Sequence, residues 1–425
     1  MNWEKVVLDE RRETKGERLC HPERSEGSKK TLSDVCEFIV DCPHSTANDE
    51  GVGYPLIRTP NVGKGRLILT DVHRVSEDVY NARNFRAVPQ EDDLIFAREA
   101  PAGNVALIRK GEKVCLGQRT VLLRPNKHLV DPCFLTYFLL APKQQYKLTR
   151  AANGATVAHI NLPTIRNLVI DVPDIKNQKK IGLILSAYDN LIENNNKRIK
   201  ILEQMAENLY KEWFVRFRFP GHETTPIENG IPKGWEYKRA DEVIDFNPTI
   251  KTDDQKNFTI IPMEALSTSS MVIDSNSFII QDTISGRRSQ NGDTLLAKIT
   301  PCLENGKTGF VMGLPEGEVF GGSTEFIVMR SKTLTPHYVY CIARSQYFRQ
   351  TAILSMNGAD GRQRVDENKL KSTKILQPTQ TLLNHFEKNV SPLFESISRL
   401  VKENTNLIKQ RDLLLPRLMS GKLAV

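Results

Sequence analysis

The sequence predicts an α+β protein: two pseudo-repeated α/β globular modules joined by two long helices that form an intramolecular antiparallel coiled coil. Three observations predict it. The stretch "LSAYDNLIENNNKRIKILEQM" (185–205) sits inside an apolar 4-3 repeat: Ile181, Leu185, Tyr188, Ile192, Asn195, Ile199, Leu202, Ala206, Leu209 and Trp213. A heptad seam held this long favours a coiled coil over an ordinary surface helix. Adding 205 to each number gives Phe386, Val390, Leu393, Ile397, Leu400, Asn404, Leu407, Arg411, Leu414 and Leu418, the same spacing near the end of the chain. The partner of the first helix is therefore expected in the same chain.

The third observation is that the offset extends beyond the helices. "DDLIFAREAP" (92–101) lies opposite "GDTLLAKITP" (292–301), aligning Asp93 with Asp293, Ala97 with Ala297, Arg98 with Lys298 and Pro101 with Pro301. "CLGQRTVLLRP" lies opposite "FGGSTEFIVMRS", Asn153-Gly154-Ala155 opposite Asn357-Gly358-Ala359, and Pro173 opposite Pro378. Each half runs from short β-like segments with Gly and Pro punctuation, through helical stretches and a Gly turn, to a long helix.

The expected organisation follows in order. Residues 1–30 are an N-terminal segment, 31–172 the first module, 173–216 the central helix, 217–233 a linker, 234–378 the second module and 379–420 the C-terminal helix. Asp174 after Pro173 is the expected N-cap of the central helix, and Pro220-Gly221 its stop. Pro392 is expected to kink the second helix or mark its first turn, and Pro416 to limit its end. Asn195 and Asn404 would cost some seam stability and help fix register. Trp235 and Val243 are eight residues apart, whereas their counterparts Trp3 and Val35 are thirty-two apart. The excess reads as an insertion from Val6 to Lys29. Within Asp9–Lys30 thirteen of 22 residues are charged, which predicts a disordered, solvated segment.

Composition narrows the function classes. The 425 residues are 39% hydrophobic and 26% charged, with net charge +8, pI near 9.0 and mean hydropathy −0.39. That suits a soluble chain and is compatible with nucleic acid. No apolar run approaches the ~18 residues of a membrane span, and the charged start "MNWEKVVLDERR" is not a signal peptide, so a cytoplasmic location with no membrane partner is expected. Seven scattered cysteines without a CxxC pair indicate reduced thiols. Cys36, Cys42 and His44 form the one cluster to weigh as a metal site; their spacing is not a zinc pattern, and no metal is expected.

Catalytic motifs are missing. There is no GxxxxGK[ST], hence no expected ATP hydrolysis. "FNPTI" (246–250) lacks the second Pro and the aromatic of a base-flipping methyltransferase motif and reads as a strand-end turn. "VPDIKNQKK" has no Glu-x-Lys following it to complete a nuclease metal site. His159 has no evident Ser, Cys or Asp partner.

With these residues in view, the chain resembles the specificity subunit of a type I DNA restriction–modification enzyme. The resemblance is carried by "VPDIKNQKKIGLILSAYDNLIENNNKRIKILEQMAENLYKEWF" (172–214), "NGATVAHINLPTIRNLVIDVP", "IPKGWEYKRADEV" and "QRDLLLPRLMSGKL". It covers nearly the whole chain except the insertion. Asn177 stands where the family usually has Glu, and Leu383-Asn384-His385 is a weak second copy of Gln-Lys-Lys. The resemblance implies that each module is a target recognition domain reading one half of a two-part, asymmetric sequence in double-stranded DNA. It implies helices that act as a spacer and dock partner subunits, and no catalysis or cofactor on this chain. Two methyltransferase subunits would bring S-adenosylmethionine, and two motor–nuclease subunits ATP and Mg2+. A helix of about 35 residues is about 50 Å long, against about 34–36 Å for one DNA turn.

Base edges and phosphates are read by Arg, Lys, Asn, Gln and small hydroxyls. The candidates in the first module are Arg98, Gln118, Arg119, Asn153, Thr156 and His159; those opposite in the second are Lys298, Ser323, Thr324, Asn357, Arg362 and Arg364. A solvated loop residue is the competing reading of each. The "NGADGRQR" loop, with two arginines flanking a glutamine, is the strongest. Two other functions stay open: the specificity component of a type II-like methylation and cleavage system, and a coiled-coil scaffold joining two protein-binding modules. A methyltransferase in its own right would need a cofactor loop that is absent from the sequence.

Overall fold

The computed structural model describes residues 29–150, 159–252, 257–315, 317–359, 361–423 and 425. The chain divides into two compact units, Met1–Asp189 with Gln410–Val425, and Asn190–Lys409. Each long helix thus contributes its residues to both units. The expected disorder of the insertion lies outside the described residues except at its end. Lys29 and Lys30, expected to be solvated, are paired in a strand.

In the first unit that strand, β1 (Lys29–Thr31), is followed by β2 (Cys36–Asp41), β3 (Gly65–Arg66), β4 (Leu94–Ala97), β5 (Val105–Leu107), β6 (Thr120–Pro125) and β7 (Val169–Asp171). The main sheet has the order β2-β6-β4-β5-β3, and β1 pairs separately with β7. Strand alternation explains the two-sided core. Leu94 and Phe96 join Val121, Leu123 and helix α1 (Pro132–Leu140) on one face, while Ile95, Ala97 and Leu122 pack with Ile57, Ile108 and Leu116 on the other. A small second sheet pairs Tyr54–Ile57 in parallel with Cys115–Leu116.

The second unit repeats this plan. Its strands are β8 (Glu236–Arg239), β9 (Ile244–Phe246), β10 (Thr294–Ala297), β11 (Thr308–Phe310), β12 (Phe326–Ser331) and β13 (Lys374–Gln377). The sheet order β9-β12-β10-β11 matches that of β2-β6-β4-β5, and β8 pairs with β13 as β1 does with β7. A parallel pair, Phe258–Ile261 with Phe320–Gly322, again forms the second sheet. One buried ion pair recurs at the same place in both units. Arg124 donates through Nε and Nη2 to Asp93 at 2.8 and 2.7 Å, and Arg330 to Asp293 at 2.8 and 2.7 Å. These bidentate pairs span adjacent strands of the sheet and explain why the repeat aligns Asp93 with Asp293. "FNPTI" is a strand end: Asn247 follows β9 with φ +55°, and its Oδ1 accepts from Val328 N at 3.0 Å.

The long helices are α2 (Ile175–Tyr210) and α4 (Gln380–Met419). Asp174 caps α2, its Oδ1 accepting from the backbone N–H of Lys176 and Asn177 at 3.0 Å each. The helix ends in a π turn, Lys211–Val215, before Phe217 takes a φ of +56°, so it stops ahead of Pro220. Pro392 does not mark the first turn of α4, and the helix ends three residues after Pro416. The helix runs through exposed Pro392 and on past Pro416 to Met419. Around Pro392 the buried neighbours Val390, Phe394 and Ile397 hold the helix against the core of the second unit. That packing outweighs one lost backbone bond, since most helix stability in proteins is tertiary.

All twenty seam positions are buried or half-buried. Within the second unit the two helices run antiparallel: Asn195 Nδ2 donates to Asn404 Oδ1 at 3.0 Å, while Trp213 meets Phe386 toward the other end. Asn404 Nδ2 also donates to Asn196 Oδ1 at 2.8 Å, so the two polar seam residues satisfy each other. Within the first unit Ile181 and Leu185 share a core with Leu415 and Leu418.

Glu203 ties α2 to the second module, its Oε1 accepting from Ser270 Oγ at 2.6 Å and Met271 N at 2.7 Å. Burial raises its pKa above the usual 4.5 despite those bonds. A carboxyl raised on folding stabilises the folded state most below its unfolded pKa and loses that contribution as pH rises through the folded value. Glu203→Gln keeps the acceptor oxygen and removes the charge. Its melting temperature at pH 7 should equal or exceed that of the parent, with the gap closing as pH falls toward 4.5. A loss of the same size at every pH would contradict this.

Candidate nucleic-acid interface

Both units gather polar side chains at one end of the main sheet, where β4 or β10 ends and β6 or β12 begins. In the first unit Arg98, just after β4, is largely buried and fully engaged. It donates to Asp41 Oδ2 at 2.8 Å, to the Ile160 carbonyl at 3.0 Å and to His159 Nε2 at 2.8 Å. Because a guanidinium only donates, His159 Nε2 is the acceptor and Nδ1 carries the proton. Nδ1–H then donates to Glu99 Oε1 at 2.6 Å. Burial first, then Arg98 and Arg119, hold the His159 pKa below its ordinary value, in keeping with a neutral ring. Glu99 also pairs with Arg119. Arg119 sits at φ +63° with its side chain 57% exposed, and its N–H donates to Cys42 Sγ at 3.1 Å. Gln118 Nε2 donates to the His44 carbonyl at 3.2 Å. Asn153 and Thr156 lie outside the described residues.

In the second unit Lys298 is 15% exposed and turned to Glu367 at 3.4 Å. The same carboxylate takes Arg287 at 3.2 Å and Asn247 Nδ2 at 2.9 Å. "NGADGRQR" forms a hairpin in which Met356–Asn357 pairs with Arg364–Val365. Its turn passes through Gly358 and Gly361 at φ +128° and +78°, conformations that suit glycine. Asn357 and Arg362 are exposed on it. Arg364 donates to Glu325 through Nε at 2.9 Å and Nη2 at 2.8 Å. Ser323 Oγ accepts from Glu325 N at 3.2 Å, and Thr324 is exposed.

Strand register corrects the alignment of the two sets by one residue. Thr120 pairs with Ala97 and Phe326 with Ala297, so Arg119 corresponds to Glu325 and Gln118 to Thr324. The Ile160 N–H donates to the Arg98 carbonyl at 3.0 Å and the Val365 N–H to that of Lys298 at 2.9 Å, so His159 corresponds to Arg364. Sequence reasoning missed the carboxylates Asp41, Glu99, Glu325 and Glu367, because it searched for donors to DNA and not for the groups that hold them. The "STEF" stretch, with Glu at the position of Arg119, carried the signal.

Comparison with known proteins shows what these units resemble. Residues 25–204 match the family model "Type I restriction modification DNA specificity domain". The match lies within the first half of the chain. The "Type I restriction enzyme MjaIX specificity subunit" of Methanocaldococcus jannaschii is 26% identical over 365 residues, spanning 83% of this chain and 82% of that protein. The "Putative type I restriction enzyme MjaX specificity subunit" of the same organism is 30% identical over 225 residues, 49% of this chain and 50% of that one. A solved structure, the "Type-I restriction-modification system S subunit from M. genitalium", shares the fold with a TM-score of 0.54 at 14% identity, covering 94% of this chain and 98% of that one. The resemblance to type I specificity subunits read from the sequence is borne out. So is the α+β layout of two modules with long helices.

Among the described residues no group of three or more His, Cys, Asp or Glu is placed to hold a metal ion. Cys36, Cys42, Cys115, Cys133, Cys302 and Cys341 are unpaired. No helix among the described residues is long and apolar enough to cross a membrane.

Proposed function

We propose that this chain is a type I specificity subunit that reads a bipartite, asymmetric DNA target, one half-site through each module, and docks the methyltransferase and restriction subunits that carry the chemistry. The observation that supports it is the pair of sheet ends just described. One backbone frame appears twice, with His159, Arg119 and Glu99 on one copy and Arg364, Glu325 and Ile299 on the other. Equal frames with unequal polar groups suit two readers of unequal half-sites. The chain itself would be non-catalytic and cytoplasmic, with S-adenosylmethionine, ATP and Mg2+ bound by its partners.

The test is to co-express the chain with a methyltransferase subunit of its own system in an unmethylated host and to map modified bases genome-wide. One two-part motif with a fixed gap is expected, and exchanging one module should change one half only. Purified complex should lose DNA affinity steeply between 50 and 200 mM salt, roughly 10³-fold or more if it contacts about six phosphates. A chain with no motif and no salt-dependent DNA binding would be a scaffold.

A further inference from the structure

We infer that Arg119 and Arg364 are the guanine-reading residues of the first and second half-sites, each aimed by a carboxylate, Glu99 and Glu325. The assignment rests on the proposed reading of DNA by these two faces and adds to it the base and the residues. Arg98 and Lys298, the cations that the repeat aligns, are withdrawn from solvent, at 12% and 15% exposure, and bonded to Asp41 and Glu367. Arg119 and Arg364 remain 57% and 50% exposed while still anchored. Their carboxylates are far less exposed, Glu99 at 12% and Glu325 at 24%, so each arginine stands outward on a recessed acid.

An anchored guanidinium keeps one free edge. Arg364 spends Nε and Nη2 on Glu325, which leaves Nη1 and the second Nη2 hydrogen as a fork. Arg119 meets Glu99 through Nη1, which leaves the Nε and Nη2 edge. Two parallel donors match the O6 and N7 acceptors of guanine in the major groove. Adenine offers a donor at N6, so the same fork rejects it. Holding the guanidinium beforehand removes part of the ordering cost of a long side chain. A free lysine or a solvated arginine would suit a phosphate instead.

The two heads build this pair from different positions of the shared frame. At the position before β6 or β12 the first head has Arg119 and the second Glu325; at the position before Ile160 or Val365 the first has His159 and the second Arg364. The arginine therefore projects from a different element of the same frame in each head. A guanine read by Arg119 and one read by Arg364 should accordingly fall at different places within their half-sites.

The experiment uses the full-length chain with its methyltransferase subunits, selecting sites from a random duplex library and titrating single-base variants of the selected site. Arg119→Gln should lose about 5- to 150-fold of discrimination at one guanine, with every other position unchanged. Arg364→Gln should do the same in the opposite half. Arg119→Lys and Arg364→Lys, which keep the charge, should relax the same positions. Glu99→Gln and Glu325→Gln should weaken those preferences without replacing the base. Unchanged guanine preference in the variants would overturn the assignment. So would a uniform loss at all sequences with the salt slope reduced by about one, the mark of a phosphate contact. A parent complex that selects no sequence would instead overturn the DNA-reading proposal beneath it, and a selected half-site without guanine would sink the assignment for that half alone.

Discussion

Asp189→Ala is expected to destabilise the first unit by about 3–5 kcal/mol, the cost of stripping one partner from a buried ion pair. Asp189 is 6% exposed. Its Oδ1 accepts from Arg411 Nη1 at 2.6 Å and its Oδ2 from the Tyr137 hydroxyl at 2.5 Å. The carboxylate therefore joins α1, α2 and α4 at one point. Burial and the adjacent carboxylate drive the Tyr137 phenol far above its ordinary pKa, so the hydroxyl stays a donor throughout the physiological range. The alanine variant leaves that hydroxyl buried without its acceptor, and leaves Arg411 with Asp412 alone at 2.8 Å. Tyr137→Phe, which removes one bond and leaves the ion pair, should cost about 1 kcal/mol. The double variant Asp189→Leu with Arg411→Met should recover most of the loss, because a well-packed apolar pair can replace a buried ion pair at little net cost. Urea denaturation followed by far-ultraviolet circular dichroism measures all three. An alanine variant within 1 kcal/mol of the parent would show that the bonds are replaced by solvent.

Arg411 shows how far the seam was legible. The 4-3 repeat places it correctly on the inner face of α4, but as a charge among aliphatic residues. Its partner is not a seam position. Asp189 follows Tyr188 on α2 and looks solvent-facing from the heptad pattern, yet α1 covers it. Heptad periodicity describes a two-helix contact; here the helices also pack against globular modules, and those burials follow no helical period. The same reason accounts for Leu382, buried off the repeat, whereas buried Gln178 and Leu383 continue the repeat one step before its first predicted positions. The prolines show the opposite case. Local propensity argues for a kink or first turn at Pro392 and an end near Pro416, yet α4 stays helical from Gln380 to Met419 because contacts from residues distant in sequence hold it.

The modules were legible in their repeat more than in their strands. Asp93 and Asp293 aligned because each anchors the arginine at the fifth residue of a strand, β6 or β12, that the sequence also aligned. The reading face was half legible. Exposed donors can be picked from Gly-flanked loops, but whether a cation faces solvent or a recessed acid depends on pairings across sixty residues, such as Glu99 with His159. Arg98 looked like a contact residue and is an internal brace. Arg119 and Arg364 looked the same in sequence and stand outward.

Phe386→Ala should be the most damaging single change to the second unit, at about 3–5 kcal/mol for a buried phenylalanine reduced to a methyl group. Phe386 is fully buried on α4. Its ring lies 6.0 Å from that of Trp213, 5.0 Å from Phe214 and 6.0 Å from Tyr338, centroid to centroid. Phe214 in turn meets Trp235 at 5.9 Å, so the cluster links the end of α2, the start of β8, helix α3 (Pro336–Arg344) and α4. Edge-to-face pairs add about 0.5–1.5 kcal/mol each beyond burial, and truncation removes three at once. Phe386→Leu fills most of the volume and should cost less than half as much. The readout separates the two units. Two of the three tryptophans, Trp213 and Trp235, belong to the second unit, and replacing the third, Trp3, by Phe in every variant leaves fluorescence to report that unit alone. Tryptophan fluorescence should therefore shift its urea midpoint strongly for Phe386→Ala and weakly for Asp189→Ala, whose effect should appear in circular dichroism. Equal shifts of both signals in both variants would mean that the two units unfold as one cooperative block, with the continuous helices α2 and α4 transmitting the loss from either end.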